Sequence, residues 1–275
     1  MVMRTPNDIA PGGQPLELLF ERADSPRLDL PAELVANYGG ALGFQSPRLF
    51  ANFVASLDGI VALPGDLESG QIISGRNPAD RFVMGLLRAC ADAVLIGAGN
   101  FRKASGHFWY PDRIYPAAAA FFAQARERLD LAPEPQFVLL TASGDIDTTE
   151  PAIASALIIT TRMGEAKLRA RAPESTRIVV LAPDRVHAPD VLDFLRAEGM
   201  PRVLTEGGPS LLAELIAEHV LDELFVTSAP TLFGRYSDDH RKSLVDGLDV
   251  AGARGELLSA RRHGSHLFLR YALAT

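Results

Sequence analysis

Short apolar runs alternate with amphipathic segments along most of the chain. The runs are rich in β-branched and aromatic residues and are followed by turn-forming residues, which is typical of buried strands. We predict strands at residues 48–55, 93–96, 136–140, 156–160, 177–181, 201–205, 222–228 and 266–271. Between most of these strands, apolar residues recur at spacings of three and four, which predicts helices. The first helix begins at Asn77 and Pro78, and the others are predicted at residues 116–129, 164–172, 189–198 and 209–219.

This alternation predicts an α/β fold with a mainly parallel central sheet of about eight strands flanked by helices. The last two predicted strands have no helix between them, so we expect an antiparallel C-terminal strand. Residues 1–46 differ, because prolines and glycines interrupt them throughout. We predict an N-terminal extension or arm over residues 1–46, with roughly the first dozen residues mobile and the rest ordered. A single domain follows over residues 47–275.

Composition and charge narrow the function classes. The chain has 275 residues and a formal net charge of −7, which argues against a basic surface for nucleic acid over the whole molecule. Cys90 is the only cysteine, so neither an intrachain disulfide nor a multi-cysteine zinc site can form, and we predict no metal site. Neither an export signal nor an apolar stretch of ~18 residues occurs. We therefore expect a soluble, cytoplasmic protein with no nucleic-acid or membrane partner.

A glycine-rich turn, TEGGPS at residues 205–210, follows one predicted strand and opens a helix. Glycine lets a ligand approach the backbone closely, and the start of a helix offers unpaired N–H groups that suit a phosphate. Ser210 would cap the helix or donate to that phosphate. A plain strand-to-helix turn explains the same residues. Glu206 either grips donor groups of a ligand or caps the helix dipole.

A second glycine turn, GAGN at residues 97–100, follows the strand at residues 93–96. It lacks the third glycine of a dinucleotide-binding fingerprint, and we predict no helix directly after it. Residues 100–115 are predicted to form a long surface loop. Its aromatic and basic residues either bind an aromatic, anionic ligand or anchor a solvated loop.

The remaining motifs are weak. Asp58 and Gly59 signal a turn, in which an aspartate bonded to its own backbone is the simpler interpretation. The sequence contains no H-E-x-x-H pair, no G-x-S-x-G elbow and no G-x-x-x-x-G-K-[ST] phosphate loop. Cys90 is predicted to be a buried hydrophobe, and His263 and His266 are predicted to be surface residues.

Three segments together resemble a known family. They are ANFVASLDG (residues 51–59), a helix that runs into DAVLIGAGN (residues 92–100), and LTEGGPSLLAELIAEHVLDELFVTSAPTLFG (residues 204–234). In this order and spacing they are similar to the reductase of riboflavin biosynthesis, over residues 48–271. The resemblance implies a dihydrofolate-reductase-like fold, NADPH as the cofactor and a homodimer.

The resemblance also implies a reaction. Hydride passes from NADPH to C1′ of the opened ribose, as an imine, in a 5-amino-6-(5-phosphoribosylamino)uracil-like substrate. Two alternatives stay open: a reductase of another ring, such as a dihydrofolate-like pterin, and a catalytically silent NADPH-binding protein.

By motif position, the resemblance implies roles for individual residues. Glu206 would hold the pyrimidine, Ser74 would contact the substrate, and Asp58 or an ordered water would supply the proton. The resemblance also implies contacts with the cofactor. Ser56 would lie near the nicotinamide, and Ser143 would contact the ribose phosphate. The adenosine side would be contacted by Gly97, Gly99 and Asn100, and the pyrophosphate by Gly207, Gly208, Pro209, Ser210 and Leu211.

The chain departs from the family pattern in two places. Many relatives carry a zinc deaminase with a P-C-x-x-C motif, which a single cysteine excludes here, so we predict a stand-alone reductase. The family segment D-D-P-x-L-T-V-R, which supplies contacts to the substrate phosphate, is replaced by NFRKASGHFWYPDR at residues 100–113. Arg102, Lys103 and Arg113 are the candidate replacements. Arg102 and Lys103 are also candidate cations for the anionic cofactor.

Overall fold

The structure is a computed structural model that describes residues 14–65, 69–235 and 240–273. Its strands are β1 (Glu17–Glu21), β2 (Arg48–Ala55), β3 (Ile60–Ala62), β4 (Ala93–Gly97), β5 (Gln136–Thr141), β6 (Leu157–Thr161), β7 (Arg177–Ala182), β8 (Arg202–Thr205), β9 (Glu223–Ser228), β10 (Lys242–Ser243), β11 (Gly255–His263) and β12 (His266–Leu273). A ten-stranded sheet has the order β1-β11-β12-β9-β2-β8-β4-β5-β6-β7, and β3 and β10 form a separate antiparallel ribbon.

The larger sheet divides into a parallel part and an antiparallel part. From β9 through β2, β8, β4, β5 and β6 to β7, every neighbouring pair is parallel. At the other end, β12 pairs antiparallel with β9, and β11 and β1 continue antiparallel. The α/β fold, the mainly parallel sheet and the antiparallel C-terminal strand are therefore confirmed. Each predicted strand is present, with small shifts of its ends.

The central sheet has ten strands where about eight were predicted, because β1 and β11 were not recognised; β3 and β10 of the separate ribbon were not predicted either. The sequence of β11, GELLSARRH, places charged residues where alternation would require apolar ones. Arg261 is nevertheless buried, because its guanidinium donates to Glu21 Oε1 at 2.9 Å and lies 3.9 Å from the centre of the Tyr38 ring. Contacts with residues distant in the sequence thus stabilise a strand in this polar segment.

The helices are α1 (Ala32–Tyr38), α2 (Ser69–Ile73), α3 (Pro78–Ala89), α4 (Ala98–Phe101), α5 (Pro111–Ile114), α6 (Ala119–Arg128), α7 (Arg162–Arg169), α8 (Ala188–Ala197) and α9 (Pro209–Ala217). Asn77 caps α3 as predicted, since its Oδ1 accepts from the Ala79 amide at 2.8 Å. The helix predicted at residues 116–129 begins as a 3₁₀ turn, Pro116–Ala118, before α6.

The structure adds two short helices to residues 97–115, which were predicted as a turn and a long surface loop. The GAGN turn itself forms α4, and α5 occupies Pro111–Ile114. Residues 102–110 between them form a loop, but Trp109 in this loop is buried in the core together with Phe101 of α4. The Trp109 ring stacks on Phe137 of β5, with ring centres 4.4 Å apart and planes inclined by 2°. The aromatic residues therefore anchor this segment to the sheet.

The segment before residue 47 packs on the sheet where it is described. β1 extends the antiparallel edge, and Leu16, Leu34 and Tyr38 are buried in the core. The predicted mobile stretch, roughly the first dozen residues, lies outside the described residues.

Side chains of the parallel strands alternate between two cores. Val94 and Ile96 of β4 pack with α3 and α6 on one face, whereas Ala93 and Leu95 pack with α8 and α9 on the other. Cys90 is buried in the first core, as predicted. Both faces are covered, so the carboxyl-terminal edge of the parallel strands is where a ligand can reach the sheet. In the described part of the chain, no helix is long and apolar enough to cross a membrane.

Candidate active site

A first cavity of about 240 Å³ opens beside β2 and the ends of β4 and β8. One wall consists of Asp80, Met84 and Arg88, which lie on successive turns of α3. Residues four apart share one face of a helix, so α3 turns its apolar stripe to the core and these three residues to the cavity. Ser74, after α2, and Glu206, after β8, line the same space.

Arg88 and Glu206 form a buried, two-pronged ion pair in this cavity. Arg88 Nε donates to Glu206 Oε1 at 2.8 Å, and Nη2 donates to Oε2 at 2.6 Å. Only 1% of the Arg88 side chain and 8% of the Glu206 side chain are exposed. Arg88 Nη1 also donates to the Tyr110 carbonyl at 3.3 Å. The pair thus fixes Glu206 and ties α3 to the end of β8 and to the segment before α5.

The two glycine turns are joined by polar contacts. Asn100 of α4 donates from Nδ2 to the Glu206 carbonyl at 2.7 Å. Thr205 Oγ1 donates to the Leu95 carbonyl at 3.0 Å and accepts from the Gly207 amide at 3.2 Å. These bonds hold the ends of β4 and β8 in register, so both turns face one ligand-binding edge.

Asp80 is a buried carboxyl group in the wall of the first cavity. It is 5% exposed, and its side chain is hydrogen-bonded to Thr227 of β9. Burial raises the pKa of Asp80 to about 6; the Thr227 hydrogen bond lowers it, and the negative charge of Glu206 raises it further. Burial therefore favours the protonated form of this carboxyl group.

Cations outnumber carboxylates around this cavity. Arg76, Arg81, Arg88 and Lys103 line it together with Asp80 and Glu206. His107 lines it as well, and its pKa is lowered first by burial and then by the charge of Arg88. Such a surplus of positive charge favours an anionic group on the ligand.

A second cavity of about 530 Å³ adjoins the first. Its walls are the turn after β4, the start of α9 and the end of β5. Asn100, Lys103, Gly208 and Pro209 line both cavities. Three further basic residues, Arg102, Arg185 and Lys242, border the second one.

The start of α9 gives the second cavity the features of a phosphate site. Gly208 is the N-cap residue and Pro209 follows it at the first helical position, so the next amides lack partners within the helix. A Cβ built on Gly208 would meet no heavy atom within 4 Å, whereas one on Gly207 would lie 2.6 Å from Leu211 Cδ2. A side chain at Gly207 would thus force Leu211 to shift, whereas Gly208 leaves its backbone open to a ligand.

The structure brings most of the predicted site residues together. The first cavity is lined by Ser74, Asn100, Lys103, Glu206, Gly207, Gly208 and Pro209. The second is lined by Gly97, Gly99, Asn100, Arg102, Lys103, Gly208, Pro209, Ser210 and Leu211. Arg102, predicted as a substrate ligand, therefore borders the second cavity and not the first. Its Nη1 also donates to the Asp145 carbonyl at 3.0 Å.

Ser56, Asp58 and Ser143 line neither cavity. Ser56 Oγ donates to Asp58 Oδ1 at 2.5 Å, and Asp58 Oδ2 accepts from the Phe233 and Gly234 amides at 3.2 and 2.6 Å. The bond from Ser56 is the main reason that the pKa of Asp58 is lowered. The Asp58 carboxylate therefore links its own loop to the loop at residues 233–234. Nothing in its position supports the prediction that Asp58 supplies the proton for the reduction.

Two further residues differ from expectation. Arg113 lies over the Phe108 ring, 5.8 Å from its centre, and lines neither cavity. His266 is half-buried, because its Nε2 is hydrogen-bonded to the Ser74 carbonyl at 2.9 Å. The prediction that His266 is a surface residue was therefore wrong.

Sequence reasoning missed the cavity-lining residues of α3, namely Asp80, Arg81 and Arg88. A signal was available, since Asp80, Met84 and Arg88 recur every four residues beside the apolar stripe. Arg185 and Lys242 carried no comparable signal, because only the tertiary fold brings the β7–α8 connection and β10 to the second cavity.

Among the residues that the structure describes, no group of three or more His, Cys, Asp or Glu side chains is placed to hold a metal ion. The fold and the site define an α/β enzyme with two adjoining cavities at the edge of a parallel sheet. The chain belongs to the RibD C-terminal domain family, whose model matches residues 47–269. This is a family of reductases of riboflavin biosynthesis, so the resemblance found in the sequence is confirmed.

Several relatives support this assignment. A 2,5-diamino-6-ribosylamino-4(3H)-pyrimidinone 5′-phosphate reductase of Archaeoglobus fulgidus is 24% identical over 191 residues, which cover 68% of this chain and 82% of the relative. A pyrimidine reductase-like protein of Corynebacterium diphtheriae has a similar structure, with a TM-score of 0.65, 21% identity and coverage of 90% and 96% of the two chains.

A deaminase/reductase of Thermotoga maritima, with a TM-score of 0.59 and 20% identity, matches 83% of this chain and 57% of its own length. At these identities, the structural similarities show the fold. They confirm the α/β fold class with its mainly parallel sheet.

Proposed function

We propose that the protein is an NADPH-dependent reductase of a pyrimidine ribosylamine 5′-phosphate. The observation that carries this proposal is the junction of the two cavities at Asn100, Lys103, Gly208 and Pro209. A hydride donor in one cavity and an acceptor in the other would meet at this junction, as transfer between two bound molecules requires.

The second cavity suits the cofactor. Its open Gly208, the free amides at the start of α9 and the nearby cations Arg102, Arg185 and Lys242 match a dinucleotide with several phosphates. Residues 207–211 would hold the pyrophosphate, and Gly97, Gly99 and Asn100 would lie on the adenosine side. When bound, the reduced nicotinamide supplies the hydride.

The first cavity suits the pyrimidine and its phosphorylated side chain. Arg76, Arg81 and Lys103 would hold the phosphate, while Ser74 and Glu206 offer polar groups to the ring. Arg88 orients Glu206 but leaves lone pairs on both carboxylate oxygens for donors on the ligand. Apolar residues in the wall, including Met84 and Trp109, limit the water that reaches the site.

The test has two parts. Calorimetry measures the binding of NADPH and of NADH, and we expect NADPH to bind more tightly. Oxidation of NADPH is then followed with three substrates in turn: 2,5-diamino-6-ribosylamino-4(3H)-pyrimidinone 5′-phosphate, 5-amino-6-(5-phosphoribosylamino)uracil and dihydrofolate.

Turnover of either pyrimidine supports the proposal. Turnover of dihydrofolate alone would replace it with a pterin reductase. Tight NADPH binding without turnover of any of the three would indicate a silent binding protein. Absence of NADPH binding would refute the cofactor assignment altogether.

The family resemblance also leads us to propose a homodimer and a cytoplasmic location. Light scattering coupled to size-exclusion chromatography tests the first, and a single protomer mass at micromolar concentration would contradict it. Fractionation of the source cells tests the second.

A further inference from the structure

We propose that Asp80 is the catalytic acid that supplies the proton consumed in the reduction. This inference rests on the proposed function. It identifies a donor that neither the sequence motifs nor Asp58 provides.

The carboxyl groups that line the first cavity in the described chain are those of Asp80 and Glu206. Both oxygens of Glu206 accept hydrogen bonds from the Arg88 guanidinium, at 2.8 and 2.6 Å, so this carboxylate is held by a cation in a buried pair. Among the described residues, no cation is paired with Asp80 in this way. Its side chain bonds to Thr227, a neutral hydroxyl. Asp80 is therefore the carboxyl group in this cavity that can carry a proton.

The other charged groups facing the cavity are less suited to the task. They are Arg76, Arg81 and Arg88, which do not release protons, together with Lys103 and His107. The pKa of His107 is lowered by burial and by Arg88, which favours its neutral form. His266 of β12 is turned to the Ser74 carbonyl, and burial lowers its pKa as well. Lys103 is the remaining competitor, and the experiment must separate it from Asp80.

The environment of Asp80 fits an acid that works near neutrality. Desolvation and the negative charge of Glu206 both favour its protonated form, and its pKa is raised to about 6. The charge of Glu206 thus helps to hold the proton on Asp80.

The chemistry needs one proton for each hydride. Asp80 donates its proton to the sugar-ring oxygen while the C1′–O bond breaks, and the lone pair of the exocyclic nitrogen forms the C1′=N bond of an iminium. C1′ then receives the hydride supplied by the reduced nicotinamide, and the π electron pair of the C1′=N bond returns to nitrogen, which becomes neutral. The sugar carbon is reduced by two electrons, the nicotinamide is oxidised by two, and the Asp80 carboxylate regains a proton from water.

The test compares the wild type with Asp80→Asn, which keeps the size of the side chain and an acceptor for Thr227. Single-turnover rates are measured with saturating NADPH and the pyrimidine substrate. We expect the rate to fall by about 10²–10⁴-fold in the variant. Calorimetric Kd values for NADPH and for the reduced product should stay within about twofold, because both ligands bind without the proton transfer.

The pH profile gives the second readout. An acid must be protonated to act, so the wild-type rate should fall as pH rises through the pKa of Asp80, by about tenfold from pH 5 to pH 7. This fall in rate should be absent in Asp80→Asn and return in Asp80→Glu. If the rate no longer falls with pH in Lys103→Met but still falls in Asp80→Asn, the acid is Lys103 and the proposal is overturned.

A third readout does not depend on activity. A raised pKa in the folded state means that the protonated form is favoured there, so wild-type stability falls as pH rises from about 4 through the pKa near 6. The urea midpoint of Asp80→Asn should therefore exceed that of the wild type at pH 8 and match it at pH 4. Equal midpoints at both pH values would overturn the proposal.

The outcomes also separate this inference from the proposed function. Wild-type turnover with a full rate in Asp80→Asn would refute the acid and leave the reductase standing. A wild type that turns over neither pyrimidine would refute both.

Discussion

Removal of Arg88 should leave Glu206 as a buried charge without its partner. In the wild type, two hydrogen bonds of 2.8 and 2.6 Å join the groups, and the side chains are 1% and 8% exposed. The Arg88→Met variant keeps much of the apolar stem but removes these bonds. Loss of one member of a buried pair costs about 3–5 kcal/mol. We therefore expect Arg88→Met to lower the free energy of unfolding by this amount, measured by urea denaturation without ligands.

The chain offers a matched control in Arg177 and Glu198. Their closest N–O distance is also 2.6 Å, but the side chains are 52% and 32% exposed. An exposed pair contributes little to stability, so Arg177→Met should have little effect on the free energy of unfolding. In a double variant, Arg88→Met with Glu206→Leu removes both buried charges and should recover much of the lost stability.

Equal losses for Arg88→Met and Arg177→Met would refute the argument, because burial is the main difference between the two pairs. A double variant no more stable than Arg88→Met would show that the loss comes from packing and not from an unpaired carboxylate. The same measurement thus separates charge from volume at this site.

Three further predictions test the placement of individual residues. Gly208→Val should weaken NADPH binding at least about tenfold by calorimetry with little loss of stability, since a Cβ there meets no protein atom but faces the second cavity; unchanged affinity would contradict the phosphate site. Arg102→Ala should raise the Kd for NADPH and leave the KM of the pyrimidine nearly unchanged, because Arg102 borders the second cavity only; the opposite pattern would return it to the substrate. Asp58→Asn should destabilise the loop at residues 233–234 at neutral pH. The pKa of Asp58 is lowered below its ordinary 3.8 in the fold, so its contacts stabilise the protein above that value and are lost as pH falls through the lowered pKa. The urea midpoints of wild type and variant should therefore converge at low pH, and a constant difference would contradict this account.

Local sequence signals were sufficient wherever one segment carries its own pattern. Apolar runs identified the parallel strands, and Asn77 with Pro78 marked the start of α3, because capping and strand burial depend on neighbouring residues. They failed where a partner distant in sequence decides the structure. Arg261 is buried in β11 because it is hydrogen-bonded to Glu21 and lies against the Tyr38 ring. Trp109 is buried because its ring stacks on Phe137.

The site shows the same division. The glycine turns at residues 97–100 and 205–210 were visible as candidate ligand loops, since their conformational freedom is a property of their own residues. The sequence could not show that both oxygens of Glu206 are held by Arg88, or that Asp58 is tied to Phe233 and Gly234. A carboxylate becomes an ion-pair partner, a loop tie or an acid according to what surrounds it.

By itself, therefore, the sequence determined the α/β class, the family and the two turns at the sheet edge, because strand burial, helix periodicity and turn chemistry are local. Only the tertiary structure decided which charged residues share a cavity. Asp80 comes from α3, Glu206 from the end of β8 and Thr227 from β9, and their separation in the chain gives no measure of the dielectric or the distance between them. Those two quantities set the pKa of Asp80 and so its chemistry.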